Sequence, residues 1–238
     1  LYRALHPGFD HVTTVAGGGK SECIALVRGL REALRSFSSQ LRAVAPIDRD
    51  YMATPPSGEA DVHLLPVTMI ENFLLDPDSI WQAIQSVAER TGISSSVGVA
   101  AALSSLLDAF EAEEIERRAG SSLATATFRA SRPLKDTPGK ANDFCTSTLA
   151  RFSETAVQAA LQTAAEEVNK LKSRPGRREE FHGKEILQQF YGTHLHNTAL
   201  SKVVFTFEAA RYARSRKAVK SFFDAFFRDV NPEWKLPD

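Results

Sequence analysis

The sequence of 238 residues has only two cysteines, Cys23 and Cys145, which are too few for a disulfide framework. This scarcity indicates a reducing compartment, which we expect to be the cytoplasm. No apolar run approaches the ~18 residues that a transmembrane helix needs, so we expect no membrane partner. Twenty-nine Lys and Arg residues balance 29 Asp and Glu residues. The net charge therefore does not indicate a polyanionic partner, although it can conceal a local basic surface.

The sequence does have a hydrophobic content of 43%, which is enough for one large or two small cores. Residues 1–76 alternate between short apolar runs and an amphipathic segment, which is typical of an α/β fold with parallel strands. Pro46 and Pro66 indicate strand ends or edges, because proline lacks the N–H that a central strand needs. We predict a helix at Ser21–Leu34 and strands at His11–Ala16, Leu41–Ile47 and Val62–Val67.

Residues 77–238 show only the 3.6-residue periodicity of helices, so the predicted fold class is α/β followed by all-α. We expect two domains, at 1–76 and 77–238, and a linker or long loop at 130–143. We predict one helix that begins at Asp78 or Ser79 and ends before Gly92. Further helices are predicted at Val99–Phe110, at about Phe144–Lys172, at about Ala199–Tyr212 and in the closing stretch of the chain.

The stretch Val15–Cys23, VAGGGKSEC, is similar to a phosphate-binding P-loop but lacks one of its residues. A P-loop needs a glycine five residues before its final Gly-Lys-Ser, because the N–H groups between them wrap a phosphate. Thr14 stands at that position. One hypothesis is therefore a nucleotide site at Lys20, and the other is a simple strand-to-helix turn.

Two groups of acidic residues are candidate metal ligands. Asp48 and Asp50 follow a predicted strand, where α/β sheets place their ligand sites, and both can bind one hard divalent cation through oxygen. Aspartate also favours turns for local hydrogen bonding, so this pair alone does not define a site. Glu71 lies among apolar neighbours, where an ionised carboxylate is costly unless it is paired, metal-bound or exposed on an amphipathic turn.

The order VTTVAGGGKSECIALVRGL, LRAVAPIDRDY and LPVTMIENFLLDP resembles the Toprim (topoisomerase-primase) domain over about residues 1–76. The most similar variety is fused to or partnered with ABC-type ATPases in the overcoming-lysogenization-defect family and related phage-defence systems. HGKEIL, at His182–Leu187, resembles a segment of the helical region that follows such domains. The resemblance implies a partial Toprim-like parallel sheet with a large helical C-terminal addition. It also favours the strand-to-helix turn over the P-loop.

This resemblance implies an endonuclease that uses Mg²⁺ or Mn²⁺ to hydrolyse DNA or RNA and is controlled by an ATPase domain or subunit. In such an enzyme Asp48 and Asp50 would hold the metal, and Glu71 would complete or orient a second site. Lys184 would counter charge on the scissile phosphate. The family's first signature, a Glu-Gly pair on an earlier strand, is missing here. We expect its glutamate, a general base or metal ligand, just before residue 1.

A basic excess in the last third of the chain is concealed by the whole-chain charge. Residues 170–238 contain 14 Lys and Arg against eight Asp and Glu. The basic side of the closing helices either follows a nucleic-acid backbone or simply faces solvent. The candidate nucleic-acid-binding residues are Arg211, Arg214, Arg216, Lys217 and Lys220. The apolar side should form core or an interface such as a homodimer, and consists of Val219, Phe222, Phe223, Phe226 and Phe227.

Two alternatives to a nuclease remain open from the sequence. A catalytically silent Toprim-like module would retain the carboxylates as residual features and use its helices to dock a protein partner. A P-loop-like nucleotide binder would instead bind ATP through Lys20.

Overall fold

The computed structural model describes residues 1–15, 18–37, 42–51, 61–130, 146, 149–150, 152–174 and 176–230. Strands β1 and β2 span Ala45–Ile47 and Val62–Leu64. Short 3₁₀ helices lie at Pro7–Asp10, Ile70–Leu74 and Gln85–Val87. Helices α1 to α11 span Tyr2–Leu5, Lys20–Phe37, Pro77–Ile84, Ala88–Thr91, Ser96–Ala109, Glu111–Ala130, Glu154–Lys172, Arg177–Glu180, Gly183–His194, Lys202–Ala213 and Lys217–Val230.

The chain forms two compact units. The first consists of Leu1–Leu106 and Arg178–Asp238, and the second consists of Leu107–Arg177. Within the first unit, α10 packs against α1, α3 and the 3₁₀ helix Ile70–Leu74, and α9 packs against the same 3₁₀ helix. Helices α9 and α10 thus belong to the same compact unit as the α/β region. The two compact units therefore do not divide at residue 76, where we expected the domain boundary.

The two described strands form a parallel sheet, with Ala45 opposite Val62 and Ile47 opposite Leu64. The N–H of Ala45 donates to the carbonyl of Asp61 (3.0 Å), and the N–H of Leu65 donates to that of Ile47 (3.0 Å). In a parallel ladder, alternate residues of a strand bond to the same neighbour. Pro46 therefore needs no N–H toward β2. The α/β region with parallel strands, followed by helices, is confirmed.

The sheet is smaller than the sequence predicts. The predicted strand His11–Ala16 is wrong over residues 11–15, which form no regular structure, and Ala16 lies outside the described residues. Thr13, Thr14 and Val15 are exposed, so this segment has no buried face to pack as a strand. The strand predicted to start at Leu41 starts at Ala45.

Helix α2 covers the sheet. Val27 packs with Ala45, Ile47 and Val62, and the partly buried Cys23, Ile24 and Leu64 lie against this cluster. The second cysteine, Cys145, lies outside the described residues. The predicted helix Ser21–Leu34 is extended at both ends to Lys20–Phe37.

A cluster of aromatic rings joins the first ten residues to α11. Phe9 lies 4.9 Å from Phe227 and 5.5 Å from Phe223, measured between ring centroids. His6 is buried against Phe227, where Nδ1 accepts the N–H of Gly8 (3.1 Å) and Nε2 contacts Asp224 Oδ1 (3.1 Å). The apolar side of the closing helix therefore forms core, and edge-to-face ring pairs add to its burial.

The second unit contains two packed helices, α6 and α7. Lys172 pairs with Glu111 (2.7 Å), and Arg118 pairs with Glu167 (3.5 Å), so the two helices run in opposite directions. Helix α7 begins at Glu154 because the Ser153 side chain accepts the N–H of Ala156 (3.3 Å). The predicted start at Phe144 falls outside the described residues, and the helix that ends at Lys172 is shorter than predicted.

None of the described helices is long and apolar enough to cross a membrane by itself. Only Pro77–Thr91 and Ser96–Ala109 taken together have the necessary length and composition, and a bend of 86° separates them.

Two glycine substitutions test the aromatic cluster. A Cβ at Gly8 would lie 2.6–2.8 Å from three ring atoms of Phe227, so Gly8→Ala should lower the free energy of unfolding by about 1–3 kcal/mol. Gly29 is exposed in the middle of α2, and a methyl group added there would have no atom within 4 Å, so Gly29→Ala should raise it by up to about 1 kcal/mol. Urea denaturation of both variants measures these changes, and equal stability of the two would contradict the packing described.

Candidate metal-binding site at the end of the sheet

The turn after β1 carries Asp48 and Asp50 to the edge where both parallel strands end. Asp50 has a left-handed backbone, with φ of 47°, which is uncommon outside glycine. Its N–H donates to the carbonyl of Thr68 (2.8 Å), in the loop after β2. The two loops at this edge are thus joined directly, as expected where ligand sites form in α/β sheets.

Asp48 connects this turn to the segment that carries Glu71. Its Oδ1 accepts the N–H of Ile70 (2.9 Å), the first residue of the 3₁₀ helix Ile70–Leu74. Burial raises the pKa of Asp48 above its ordinary value, the negative charges of Glu71 and Asp50 raise it further, and the Ile70 N–H and Lys20 oppose this change. The three predicted carboxylates therefore share one electrostatic environment.

Lys20, the first residue of α2, forms an ion pair with the Asp50 carboxylate. The sequence draws attention to Lys20 only as a P-loop lysine, and nothing in it indicates this partner 30 residues away. The preceding turn has Gly18 at φ of 75°, and the N–H of Gly19 donates to the Glu22 carboxylate (2.7 Å). A carboxylate of this chain thus occupies an N–H that a P-loop would offer to phosphate.

Tyr2 belongs to the same environment and was not found from the sequence. Burial raises the pKa of its phenol, and the negative charges of Asp48, Cys23 and Glu71 raise it further. The phenol therefore stays protonated at neutral pH and can only donate its proton in a hydrogen bond to an anion. No sequence signal could have identified it, because α1 is remote from the carboxylates along the chain.

Lys184 is exposed in the first turn of α9. The largest charge effects on Asp48 come from Glu71, Asp50 and Lys20. Asp50 and Glu71 thus act electrostatically on Asp48, and the roles predicted for these carboxylates and for Lys184 stay predictions.

The candidate nucleic-acid-binding residues differ in their surroundings. Arg216 contacts Asp76 and Asp78, both at 2.6 Å, at the start of α3. Arg211 pairs with Glu208 (2.9 Å) and lies over the Tyr212 ring. The other three, which are exposed, are Arg214, Lys217 and Lys220. Two of the five cations therefore already pair with acidic residues of this chain.

The described part of the chain has no group of three or more His, Cys, Asp and Glu residues arranged to hold a metal ion. Asp50 is instead paired with Lys20. Comparisons with protein-family models, with curated proteins and with solved structures find no match to this chain.

Asp48→Asn tests whether this carboxylate is held at a cost to the fold. Asparagine keeps an Oδ1 acceptor for Ile70 and removes the charge. Because the folded-state pKa of Asp48 is raised, protonated Asp48 contributes stability below its ordinary pKa of 3.8, and this contribution is lost as pH rises through the folded-state pKa. Asp48→Asn should therefore raise the free energy of unfolding at pH 7, by about 1 kcal/mol or less.

Urea denaturation between pH 3.5 and pH 7 measures this effect, and the gain should shrink as the pH falls. Asp10→Asn, at an exposed position of the first 3₁₀ helix, is the control and should give no such trend. A less stable Asp48→Asn protein at pH 7 would show that the charged carboxylate supports the fold.

Proposed function

We propose that this chain is a Toprim-type nuclease module that binds Mg²⁺ or Mn²⁺ and hydrolyses phosphodiester bonds of DNA or RNA. The observation that carries the proposal is the electrostatic coupling of Asp48 with Asp50 and Glu71 at the end of the sheet, where burial opposes the charge of Asp48. All three carboxylates are partly buried, and partly buried carboxylates that repel one another are found preferentially at functional sites.

The chemistry of these donors fits a hard divalent cation. The three carboxylates would supply oxygen ligands, and Lys20 offsets part of their charge. The charge of Glu71 acts on both Asp48 and Tyr2. When bound, Mg²⁺ or Mn²⁺ would stabilise negative charge on the attacking and leaving oxygens of the phosphodiester.

The chain's own groups would take distinct roles. Asp48 uses one oxygen to accept the Ile70 N–H, which leaves the other for a cation. Asp50 would have to give up its ion pair with Lys20 to hold a cation, and the Lys20 ammonium could then bind a scissile phosphate. The Tyr2 phenol stays protonated, and its O–H could donate a hydrogen bond to a phosphate oxygen. The role of Lys184 in countering charge on the scissile phosphate is proposed only from the resemblance to Toprim domains.

The proposed nucleic-acid surface rests on Arg214, Lys217 and Lys220, which are exposed around the start of α11. Exposed cations can neutralise phosphates at little cost, whereas Arg216 would first have to leave two carboxylates. Control by an ABC-type ATPase in phage defence is part of this proposal through the resemblance.

A catalytically silent interaction module is the second candidate. The ion pair between Lys20 and Asp50 favours it, because a lysine that neutralises a carboxylate can replace a metal ion structurally. The nucleotide-binding alternative has less support, since Glu22 occupies the Gly19 N–H and Lys20 is paired with Asp50.

Calorimetric titration with Mn²⁺, together with cleavage of supercoiled plasmid and structured RNA, tests the nuclease proposal. The wild-type chain should bind Mn²⁺ and cleave one substrate. Asp48→Asn and Asp50→Asn should each remove both properties, because each loses a charged oxygen ligand. Asp10→Asn should behave as wild type.

Lys20→Ala separates the alternatives. The nuclease proposal predicts that Mn²⁺ affinity is retained or increased, because Asp50 loses its competing cation. A nucleotide binder would show saturable ATP binding that this substitution abolishes. Absence of both Mn²⁺ binding and cleavage in the wild-type chain would favour the silent module.

A further inference from the structure

The segment Arg178–Gly183, here called the strap, follows Arg177, the last residue of the second compact unit. It runs along the loops that carry the three carboxylates. Its strongest attachment is to Asn72, whose Nδ2 donates to the carbonyls of Arg178 (2.6 Å) and Phe181 (2.8 Å). Oδ1 of Asn72 accepts the N–H of Met69 (2.8 Å).

Asn72 is 3% exposed, and both N–H bonds and the carbonyl of its amide are used. A buried amide that is fully satisfied has one allowed orientation, because any rotation would leave donors or acceptors unpaired. The amide therefore fixes the separation between the strap and the turn Met69–Asn72. Glu71 is the residue immediately before it.

Two further contacts tie the strap to the neighbours of the other carboxylates. The N–H of Thr68 donates to the carbonyl of Glu179 (2.9 Å), and the carbonyl of Thr68 accepts the N–H of Asp50. Arg49, between the two aspartates, pairs with Glu180 (2.7 Å). The strap thus contacts Asn72, which follows Glu71, and Arg49, which lies between Asp48 and Asp50. It also contacts Thr68, which is hydrogen-bonded to Asp50.

The sheet by itself gives these loops little support, since β1 and β2 have three residues each. Oxygen ligands of a divalent cation must nevertheless be held at well-defined distances from one another. We propose that Asn72 is a positioning residue that, with the strap Arg178–Gly183, fixes the loops that carry Asp48, Asp50 and Glu71 and thereby raises the affinity of these carboxylates for a cation. This inference rests on the proposed function.

A substitution at Gly183 would displace Asn72 without changing the sequence of the loops that carry Asp48, Asp50 and Glu71. A Cβ at Gly183 would lie 2.6 Å from both Cγ and Oδ1 of Asn72 and 2.8 Å from its backbone nitrogen. These atoms belong to a buried, fully bonded residue and have no space to move. Gly192, in the same helix, has no atom within 4 Å of such a methyl group and provides a matched control.

Calorimetric titration of Gly183→Ala and Gly192→Ala with Mn²⁺ tests this role. Gly183→Ala should weaken Mn²⁺ binding about tenfold or more, as expected when a group that orients metal ligands is displaced. Cleavage by this variant should recover when Mn²⁺ is raised to saturation. A purely structural defect would lower the active fraction at every Mn²⁺ concentration. Gly192→Ala should match wild type in both measurements.

Glu180→Gln is a second, milder variant if Gly183→Ala does not fold cooperatively. It weakens the attachment of Arg49 and should reduce Mn²⁺ affinity roughly two- to fivefold. Wild-type Mn²⁺ affinity in the folded variants would overturn the positioning role and leave the proposed function standing. Absence of Mn²⁺ binding in the wild-type chain would overturn both.

Discussion

Electrostatic repulsion among Asp48, Asp50 and Glu71 is the constraint that the surrounding structure has to meet. Parallel pairing of β1 and β2 brings both strand ends to one edge, and the loops that follow carry these acids. Burial makes the charge of Asp48 still less favourable. Two contacts partly offset this cost: Lys20 forms an ion pair with Asp50, and the N–H of Ile70 donates to Asp48. In the proposed nuclease, a bound cation would reduce this repulsion.

The aromatic cluster explains why the helices cannot be separated from the α/β region. Phe9 and His6, near the start of the chain, pack against Phe223 and Phe227 near its end. The Tyr2 ring lies 5.2 Å from the Phe9 ring, measured between centroids, and the charges of Asp48 and Glu71 raise the pKa of its phenol. The closing helix therefore packs against α1, with the Tyr2 and Phe223 ring centroids 6.3 Å apart.

The sequence predicts those parts of the site that depend on local pattern. Charged residues directly after an apolar strand locate Asp48 and Asp50, and a carboxylate within an apolar run identifies Glu71. The ion pair of Lys20 and the bonds of Asn72 to the strap join positions 30 to 109 residues apart, and no local pattern encodes such contacts. The predicted strand at His11–Ala16 is wrong over residues 11–15, because β-branched residues favour strands only where one face is buried.

Anomalous diffraction from crystals soaked in Mn²⁺ would test most directly whether the carboxylates at the end of the sheet bind a cation. We expect an anomalous peak within ligand distance of carboxylate oxygens of Asp48 and Glu71, with Lys20 displaced from Asp50. Occupied sites elsewhere, with the pair of Lys20 and Asp50 intact and no peak at the end of β1, would contradict it.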